Sequence, residues 1–362
     1  MDSHSDHVLG TVVVVGGCGF LGFHIVRALS QDPACTSVVV LSRQPTKNLQ
    51  DGVKYYSCDI TDLDKTQTLL NEIQPRAIMH TASPMAIDPT AKVHHFYSTN
   101  VKGTENLLIC AAEIPSIKAF VYTSTVNVVA GSPHVNVSEQ QPLWEQTSKT
   151  IPYWLSKAAA DKLVRASTSE QLATVTLRLP VTYGERDNQY IPAQLAVYRK
   201  KQTGVQLGDN KNLTDQVYAG NAATAHVLAA KALLNPTLAR GPVAGEAFNI
   251  TDGAPIFFWD FCRVVWRAAG DTTELKDVKV IPAWLALQMA NVTEGLNWIT
   301  TFGSKRPKAL NRLTVEFCLR TYTYDISKAR RVLGYEPEVH REAVMKKAIE
   351  WEKTREGGVG GW

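Results

Sequence analysis

Apolar runs alternate with stretches of helical spacing through the first 125 residues of the chain. Residues 12–15 are four consecutive valines, and an uninterrupted β-branched run of this kind predicts a strand buried on both faces of a parallel sheet. Further strands are predicted at residues 37–41, 53–58, 76–80 and 119–123, and helices at residues 20–29, 61–73 and 100–112. The alternation predicts an α/β protein with a Rossmann-type doubly wound parallel sheet.

A glycine cluster separates the valine strand from its helix, with Gly16, Gly19 and Gly22 in the spacing G-x-x-G-x-x-G. A strand, a tight turn and a helix together direct free backbone N–H groups and the positive end of a helix toward a pyrophosphate. Gly16 permits the turn, Gly19 lets the backbone approach the phosphates, and Gly22 lets the helix pack on the strand. Glycines also occur in turns for purely conformational reasons, but the position directly after a valine strand favours a dinucleotide cofactor.

Ser42 and Arg43 follow the second predicted strand, at the position that discriminates between the two nicotinamide dinucleotides. An acidic side chain here would hydrogen-bond the adenosine ribose and repel a 2′-phosphate, which selects NAD. A hydroxyl and a guanidinium, with Lys47 close behind, instead favour the 2′-phosphate of NADP through charge-assisted hydrogen bonds. A solvated surface arginine is the alternative interpretation. The prediction is that NADP is preferred, with NAD as the alternative.

Tyr153 and Lys157 stand four residues apart, and on a helix they lie one above the other on a single face. An ammonium beside a phenol favours the phenolate and lowers the pKa of the tyrosine from its ordinary value of about 10. The tyrosine can then exchange a proton with a substrate hydroxyl. The fifth strand ends in Thr123, Ser124 and Thr125, and the Thr125 hydroxyl is preferred for orienting the same oxygen. Tyr and Lys also occur at this spacing by chance, but their place after this strand favours a catalytic pair.

Composition and charge exclude several classes of function. The chain is 44% hydrophobic with a net charge of +4 and no arginine or lysine run, which argues against disorder and against nucleic-acid binding. Its six cysteines form no C-x-x-C pair, so neither disulfides nor a metal site is expected. The polar N-terminus reaches the first strand within ten residues, which leaves no room for a signal peptide and predicts a cytoplasmic protein.

At these residues the chain resembles the extended short-chain dehydrogenase/reductase superfamily and, within it, the 3β-hydroxysteroid dehydrogenase/isomerase branch with its sterol-4α-carboxylate 3-dehydrogenases. The resemblance is carried by V-G-G-C-G-F-L-G-F-H-I-V (15–26), F-V-Y-T-S-T (120–125), Y-W-L-S-K (153–157), L-R-L-P-V-T-Y-G (177–184), F-N-I-T-D-G-A-P-I-F-F-W-D-F (248–261) and Y-D-I-S-K-A-R-R-V-L-G-Y-E-P (324–337). It covers nearly the whole chain.

The resemblance implies a catalytic set of Thr125, Tyr153 and Lys157, with Ser124 as the runner-up for the hydroxyl. It also implies that Asn100 supports the active site and that residues 180–182 lie against the nicotinamide. Asp59 and Ile60 end the third strand near adenine, and residues 81–83 end the fourth strand near ribose and phosphates. The predicted cofactor-binding residues are Gly16, Gly19, Phe20, Leu21, Gly22, Ser42, Arg43, Asp59, Ile60, Thr81, Ala82, Ser83, Asn100, Tyr153, Lys157, Pro180 and Thr182.

The predicted domain organisation is an NAD(P)-binding Rossmann domain at residues 1–184, completed by about residues 217–250. A smaller, mixed substrate-binding lobe takes residues 185–216 and 251–320, which we expect to be less regular, and residues 321–362 form a helical region with a flexible tail. The lobe contains Trp259, Trp266, Trp284 and Trp298, most of which are expected to be core. Few cationic side chains occur in residues 251–300, so an apolar alcohol fits better than a nucleotide sugar.

An apolar stretch of about a dozen residues, 281–292, is shorter than the roughly 20 residues that a membrane span needs. A substrate-pocket helix is the simpler interpretation, and peripheral contact with a membrane surface, at the endoplasmic reticulum, is the other. The resemblance also implies a homodimer formed through two sheet-flanking helices.

The leading hypothesis is NAD(P)-dependent oxidation of a secondary 3β-hydroxyl on a sterol-like or triterpenoid/meroterpenoid skeleton. Decarboxylation or double-bond isomerisation of the resulting ketone stays open. One alternative is an NADPH-dependent reductase of ketones or aldehydes, which would use the same residues to catalyse the reverse reaction. More distant are a nucleotide-sugar epimerase or dehydratase and a non-catalytic NADP sensor, the last disfavoured because a sensor needs no Tyr–Lys pair.

Overall fold

The structure is a computed structural model, and it describes residues 9–85, 92–148, 150–235, 238, 241–301 and 310–356. The strands are β1 (Gly10–Val15), β2 (Cys35–Ser42), β3 (Lys54–Ser57), β4 (Ala77–His80), β5 (Ala119–Thr125), β6 (His134–Val137), β7 (Ala173–Leu179), β8 (Val181–Tyr183), β9 (Val205–Leu207), β10 (Leu213–Thr214), β11 (Gln216–Tyr218), β12 (Glu246–Asn249), β13 (Ile256–Phe257), β14 (Lys279–Ile281) and β15 (Tyr322–Tyr324). The helices are α1 (Phe20–Gln31), α2 (Leu63–Ile73), α3 (Val93–Tyr97), α4 (Thr104–Glu113), α5 (Pro152–Ala166), α6 (Tyr190–Arg199), α7 (Ala219–Leu234), α8 (Phe258–Ala269), α9 (Ala283–Thr301), α10 (Arg312–Leu319), α11 (Ser327–Leu333) and α12 (Arg341–Glu356).

Seven strands form the central sheet in the order β12-β7-β5-β4-β1-β2-β3. Every neighbouring pair in this sheet runs parallel. The predicted Rossmann-type doubly wound sheet is therefore confirmed. From β1 the chain moves to β2 and β3 on one side and then to β4, β5, β7 and β12 on the other. The carboxyl ends of β1 and β4 thus border the crevice where sheets of this topology bind ligands.

The valine run in β1 separates two hydrophobic cores. Val12 and Val14 pack in the core that contains the inward faces of α1, α7 and α11, whereas Val13 and Val15 pack in the core with α2, α4 and α5. Because successive side chains of a strand point to opposite faces, a strand covered on both sides needs an apolar residue at every position. The many buried alanines of α7 leave room for this helix to pack closely on the sheet and on α1.

The second half of the chain is more regular than the sequence suggested. Residues expected to be less regular form α6, α8, α9 and α10, and they contribute β10 and β13 to a four-stranded sheet in the order β13-β10-β15-β6. A third core joins α6, α8 and α12 around Tyr183, Phe261 and Trp266. Strands of two or three residues depend on partners distant in the chain, so local patterns do not reveal them. The proposed division into domains stays a prediction.

Three helical predictions are refined. The helix expected at residues 100–112 is preceded by α3 and begins with a π-helical turn, Ser98–Gly103, before it continues as α4. The C-terminal helical region is two helices, because Gly334 ends α11 with φ of 66°. The predicted flexible tail, residues 357–362, lies outside the described residues.

Helix α9 departs from the expectation that most tryptophans of the lobe are core. Trp284 and Trp298 are 67% and 65% exposed, while the small residues Ala286 and Ala290 pack against α10. Within the described residues, no helix combines the length and apolarity that crossing a bilayer requires.

Candidate active site

The glycine loop joins β1 to α1 at the edge of the crevice. Gly16 has φ of 86°, and a Cβ atom there would lie 2.8 Å from the backbone nitrogen of Ala82. A Cβ atom on Gly22 would lie 2.2 Å from the carbonyl oxygen of Gly16. The loop therefore needs glycine for its turn and for the packing of α1, as the sequence predicted. Phe20, Leu21 and Gly22 begin the helix, so their N–H groups have no intrahelical acceptor.

The end of β2 places Ser42 half-buried and Arg43 exposed, with exposed Lys47 nearby. The Ser42 side chain hydrogen-bonds the Cys18 thiol in the glycine loop, and burial raises the pKa of that thiol. Sequence reasoning missed Asn48, whose side chain donates to the Cys18 carbonyl at 2.9 Å. Hydrogen bonds from Ser42 and Asn48 therefore connect the segment that follows β2 to the glycine loop.

The positions predicted for adenine lie on the loop after β3. The Asp59 carboxylate accepts from the N–H of Thr61 at 3.0 Å, and this hydrogen bond, together with Arg43, holds its pKa below the ordinary value. Ile60 is buried, with its side chain against Gly103 of the π-helical turn. The structure thus brings Asp59 into the electrostatic range of Arg43, on the same edge of the sheet.

A chain of hydrogen bonds leads from the end of β4 to the Tyr153 helix. The Ser83 hydroxyl donates to the side-chain oxygen of Asn100 at 2.8 Å, and the Asn100 amide donates to Ser156 at 3.0 Å. The Ser156 hydroxyl in turn donates to the Tyr153 carbonyl at 2.9 Å. Asn100 is fully buried in the π-helical turn, a feature frequent at functional sites. Ser156 is a positioning residue that the sequence analysis missed.

Helix α5 begins with Pro152 at its first turn and presents Tyr153 and Lys157 on one face. The Lys157 ammonium donates to the Thr123 carbonyl at 2.5 Å and lies 4.2 Å from the centre of the Tyr122 ring. Burial lowers the pKa of Lys157 to about 7, although the Asp161 carboxylate raises it. The lysine is thus held at the end of β5 by groups of that strand.

The pKa of Tyr153 moves opposite to the sequence expectation. Burial raises it to about 12, and the hydrogen bond that the Tyr153 hydroxyl shares with Ser83 only partly offsets this rise. Lys157 was expected to lower it, but desolvation is the largest effect on the phenol, and burial also shifts the lysine toward its neutral form.

The two candidate hydroxyls on β5 differ in what they contact. Ser124 donates its hydroxyl to the Asp161 carboxylate at 2.8 Å, on the side of the strand away from Thr125. The Thr125 oxygen accepts from the N–H of Asn127 at 3.3 Å, which leaves its hydrogen to donate. This arrangement favours Thr125 over Ser124.

An ion pair buried beneath α5 was missed entirely. The Arg178 guanidinium on β7 contacts both oxygens of Asp161, at 3.0 and 2.9 Å, and both side chains are fully buried. Asp161 lies one helical turn beyond Lys157, and Arg178 pairs with Ser124 across β5 and β7. Arg178, a charged residue within the predicted strand 174–179, was the feature of the sequence that could have indicated this ion pair.

A narrow cleft of about 20 Å³ opens beside the carboxyl ends of β5 and β7. It is lined by Val126, Asn127, Pro180, Val181, Tyr190, Thr214, Asp215, Gln216, Phe258, Phe261, Phe317, Tyr322 and Tyr324. These described residues include no lysine or arginine, and none comes from α9, so the interpretation of that helix as a pocket wall is not supported. Thr182 lies on β8, where its hydroxyl donates to the Pro180 carbonyl at 3.3 Å.

Solved structures of similar fold include sugar-nucleotide epimerases. UDP-glucose 4-epimerase from Thermotoga maritima has a TM-score of 0.70 at 19% identity, over 95% of this chain and 99% of that chain. UDP-glucuronic acid 4-epimerase from Bacillus cereus, solved in complex with NAD, has a TM-score of 0.69 at 19% identity, with 95% and 99% covered. At this level of identity the likeness concerns the fold alone.

Relatives in sequence are more similar. Sterol-4-alpha-carboxylate 3-dehydrogenase ERG26, decarboxylating, of Gibberella zeae is 36% identical over 80% of this chain and 94% of that protein. The enzyme of the same name from Schizosaccharomyces pombe is 35% identical over 94% of this chain and 97% of that protein. The family model of the 3-beta hydroxysteroid dehydrogenase/isomerase family matches residues 13–280. The predicted resemblance is therefore confirmed, and this chain belongs to the 3-beta hydroxysteroid dehydrogenase/isomerase family of oxidoreductases.

Proposed function

We propose that this protein oxidises a secondary 3β-hydroxyl of a sterol-like or triterpenoid/meroterpenoid substrate to the ketone, with NADP or NAD as cofactor. The observation that carries the proposal is the placement of Tyr153 and Lys157 on one face of α5, with the Lys157 ammonium donating to the Thr123 carbonyl of β5. The turn at Gly16 and the free N–H groups that begin α1 fit a dinucleotide pyrophosphate. The names of the relatives, which include decarboxylation, support a 4-carboxylated sterol as one such substrate.

Each residue of the catalytic set has a distinct task in this proposal. Tyr153 accepts the proton of the substrate hydroxyl, and Thr125 donates a hydrogen bond that orients the reacting oxygen. Lys157, held by the Thr123 carbonyl, binds the nicotinamide ribose and, in its protonated form, stabilises the phenolate. Asn100 and Ser156 fix the start of α5 and so the position of Tyr153. The bound cofactor supplies the hydride acceptor.

A carboxylate next to the new ketone has a route to leave. Once the 3-hydroxyl is oxidised, the ketone accepts the electron pair of the breaking carbon–carbon bond, carbon dioxide departs, and the enolate takes up a proton. With a neighbouring alkene instead, enolisation shifts the double bond. The residues that would separate these two outcomes are not assigned.

The test mixes purified protein with NADP⁺ or NAD⁺ and a panel of 3β-hydroxy sterols and triterpenoids, with and without a 4-carboxyl group. Reduced-nicotinamide absorbance reports oxidation, and mass spectrometry of the product reports decarboxylation. We expect absorbance to rise with at least one alcohol. Silence with every alcohol, but turnover of the matching ketones with NADPH, would replace the proposal with the reductase alternative.

The cofactor preference is a separate proposal, that NADP is favoured over NAD. Arg43 and Ser42 offer the 2′-phosphate a guanidinium and a hydroxyl at the end of β2. We expect Arg43→Ala to bind NADP⁺ about tenfold more weakly, since charged hydrogen bonds contribute about 1.5 kcal/mol or more, while NAD⁺ binding stays the same. Calorimetric titration measures both, with Arg331→Ala on exposed α11 as the control. Equal losses for the two dinucleotides would contradict the preference.

We also propose that α9 rests on an anionic phospholipid surface. Its exposed residues include Trp284, Leu296 and Trp298, and amphipathic rings of this kind favour the membrane interface. Cations flank the helix in the sequence: Lys276 and Lys279 before it, and Lys305, Arg306 and Lys308 after it, the last three outside the described residues.

Vesicle sedimentation tests the membrane surface. Vesicles of phosphatidylcholine with phosphatidylserine should bind the wild type, and Trp284→Ser and Trp298→Ser should each weaken binding about tenfold, because a buried aromatic side chain contributes about 1.5 kcal/mol or more. Val135→Ser, which changes an exposed residue on β6, is the control. Wild type that stays in the supernatant would rule the surface out.

In line with the resemblance, we propose a cytoplasmic enzyme that forms a homodimer through two sheet-flanking helices. Light scattering at micromolar concentration measures the mass directly. A monomer mass there would exclude the dimer without bearing on the chemistry.

A further inference from the structure

One wall of the cleft carries two buried side-chain oxygens that lack hydrogen-bond partners. Asp215, between β10 and β11, and Gln216, the first residue of β11, line the cleft and are 5% and 3% exposed. Within the described residues, Asp215 Oδ1 and Gln216 Oε1 have no hydrogen-bond partner. Native proteins rarely bury polar atoms in this way without a partner, so the pair points to a ligand group.

The remaining polar atoms of both side chains are already committed. Asp215 Oδ2 accepts from the N–H of Tyr324 at 2.8 Å, and the Thr251 hydroxyl approaches the same carboxyl group. The Gln216 amide nitrogen donates to the Thr214 hydroxyl at 2.6 Å, and that hydroxyl donates onward to the Ile256 carbonyl at 3.3 Å. Gln216 is thereby oriented with its nitrogen on the protein, and only its oxygen is left for a ligand.

A neighbouring tyrosine also has only an acceptor to offer. The Tyr324 hydroxyl lies 2.8 Å from His134 Nδ1, and His134 Nε2 lies 3.1 Å from the Gly131 carbonyl. Burial lowers the pKa of His134, so the ring is neutral with its proton on Nε2, and Nδ1 accepts from the tyrosine. The hydrogen of the Tyr324 hydroxyl is therefore donated to His134, and its oxygen can only accept a hydrogen bond from a ligand.

We propose that this wall binds a second hydroxyl group of the substrate, through Asp215 Oδ1 and Gln216 Oε1, so that the preferred substrates are apolar polycyclic alcohols with a further hydrogen-bond donor. This inference rests on the proposed function for its substrate class and adds the second group. The cleft wall also carries the aromatic rings of Phe258, Phe261 and Phe317, which suit an apolar skeleton. A keto group at the same place could only accept hydrogen bonds, so it would be repelled by the two acceptor oxygens of Asp215 and Gln216.

Equilibrium binding tests the subsite without turnover. The probes are 5α-androstan-3β-ol, matched diols with the second hydroxyl at C7, C11 or C17, and the corresponding hydroxyketones, titrated calorimetrically into the full chain. We expect at least one diol to bind tenfold or more tightly than the mono-alcohol and its hydroxyketone to bind no better than the mono-alcohol. If every diol matches the mono-alcohol, or if the hydroxyketones bind best, the subsite is refuted.

Two variants and a control locate the effect. Gln216→Leu removes one acceptor, and Asp215→Asn replaces an acceptor by a donor, so each should reduce the diol preference at least threefold. Phe317→Leu, on the aromatic wall, should weaken all probes alike and keep the preference. A diol preference that persists in both subsite variants would also refute the assignment. Because no oxidation is needed, failure of the proposed chemistry would appear in the absorbance assay and not in these ratios.

Discussion

Tyr153→Phe is expected to lower kcat for alcohol oxidation by about 100- to 10,000-fold, the range that a positioned acid–base group contributes. The substitution removes only the phenolic oxygen. The ring keeps its edge-on contact with Phe96 at 5.9 Å, and the backbone keeps its link to Ser156. The loss therefore falls on proton transfer and not on the architecture of the site. Stopped-flow or steady-state absorbance of the reduced nicotinamide measures it.

Binding data separate this result from general damage. Tyr153→Phe should bind NADP⁺ within about threefold of the wild type, because the cofactor contacts proposed for the glycine loop and β2 are intact. Tyr56→Phe, on β3, removes a phenolic oxygen from the opposite part of the sheet and serves as the matched control. Retention of full activity in Tyr153→Phe would remove this residue from the mechanism.

Arg178→Met is expected to lower the free energy of unfolding by about 3–5 kcal/mol, the effect of leaving one partner of a buried ion pair alone. The guanidinium contacts both oxygens of Asp161 and the carbonyl of Glu139 at 3.1 Å, and no water reaches the pair. Without it, a fully buried carboxylate keeps, among the described residues, only the Ser124 hydroxyl as a partner at hydrogen-bond distance. Urea denaturation followed by circular dichroism measures the change.

The double substitution Asp161→Leu with Arg178→Met tests whether charge is the cause. It should recover a large part of the stability lost in Arg178→Met, because the double variant leaves no buried charge without a partner. Lys211→Met, which breaks the exposed ion pair with Asp209, should leave stability unchanged within error. A double variant as unstable as Arg178→Met would assign the loss to packing.

The same pair bears on Lys157. Asp161 raises the pKa of the lysine, and Arg178 competes for that carboxylate. Removal of Arg178 should therefore increase the attraction of Lys157 toward Asp161 and away from the Thr123 carbonyl. We expect a lower kcat in Arg178→Met even under conditions where the variant is fully folded.

What the sequence determined by itself is local. The valine run, the glycine turn and the spacing of Tyr153 and Lys157 each express their structure within a few residues, so strand, loop and helix face could all be derived from the chain. The alternation of strands and helices in the first 125 residues extended this to the doubly wound sheet, which the structure confirms.

The tertiary structure decided the rest, because the deciding contacts join residues that are distant in the chain. The choice between Ser124 and Thr125 depends on Asp161, 37 residues after Ser124, and the Thr123 hydroxyl meets His226, 103 residues further along. Burial reversed the expected shift of the Tyr153 pKa, and packing left Trp284 exposed while it buried Trp266. Solvent access and long-range pairing are properties of the assembled fold, and no short pattern encodes them.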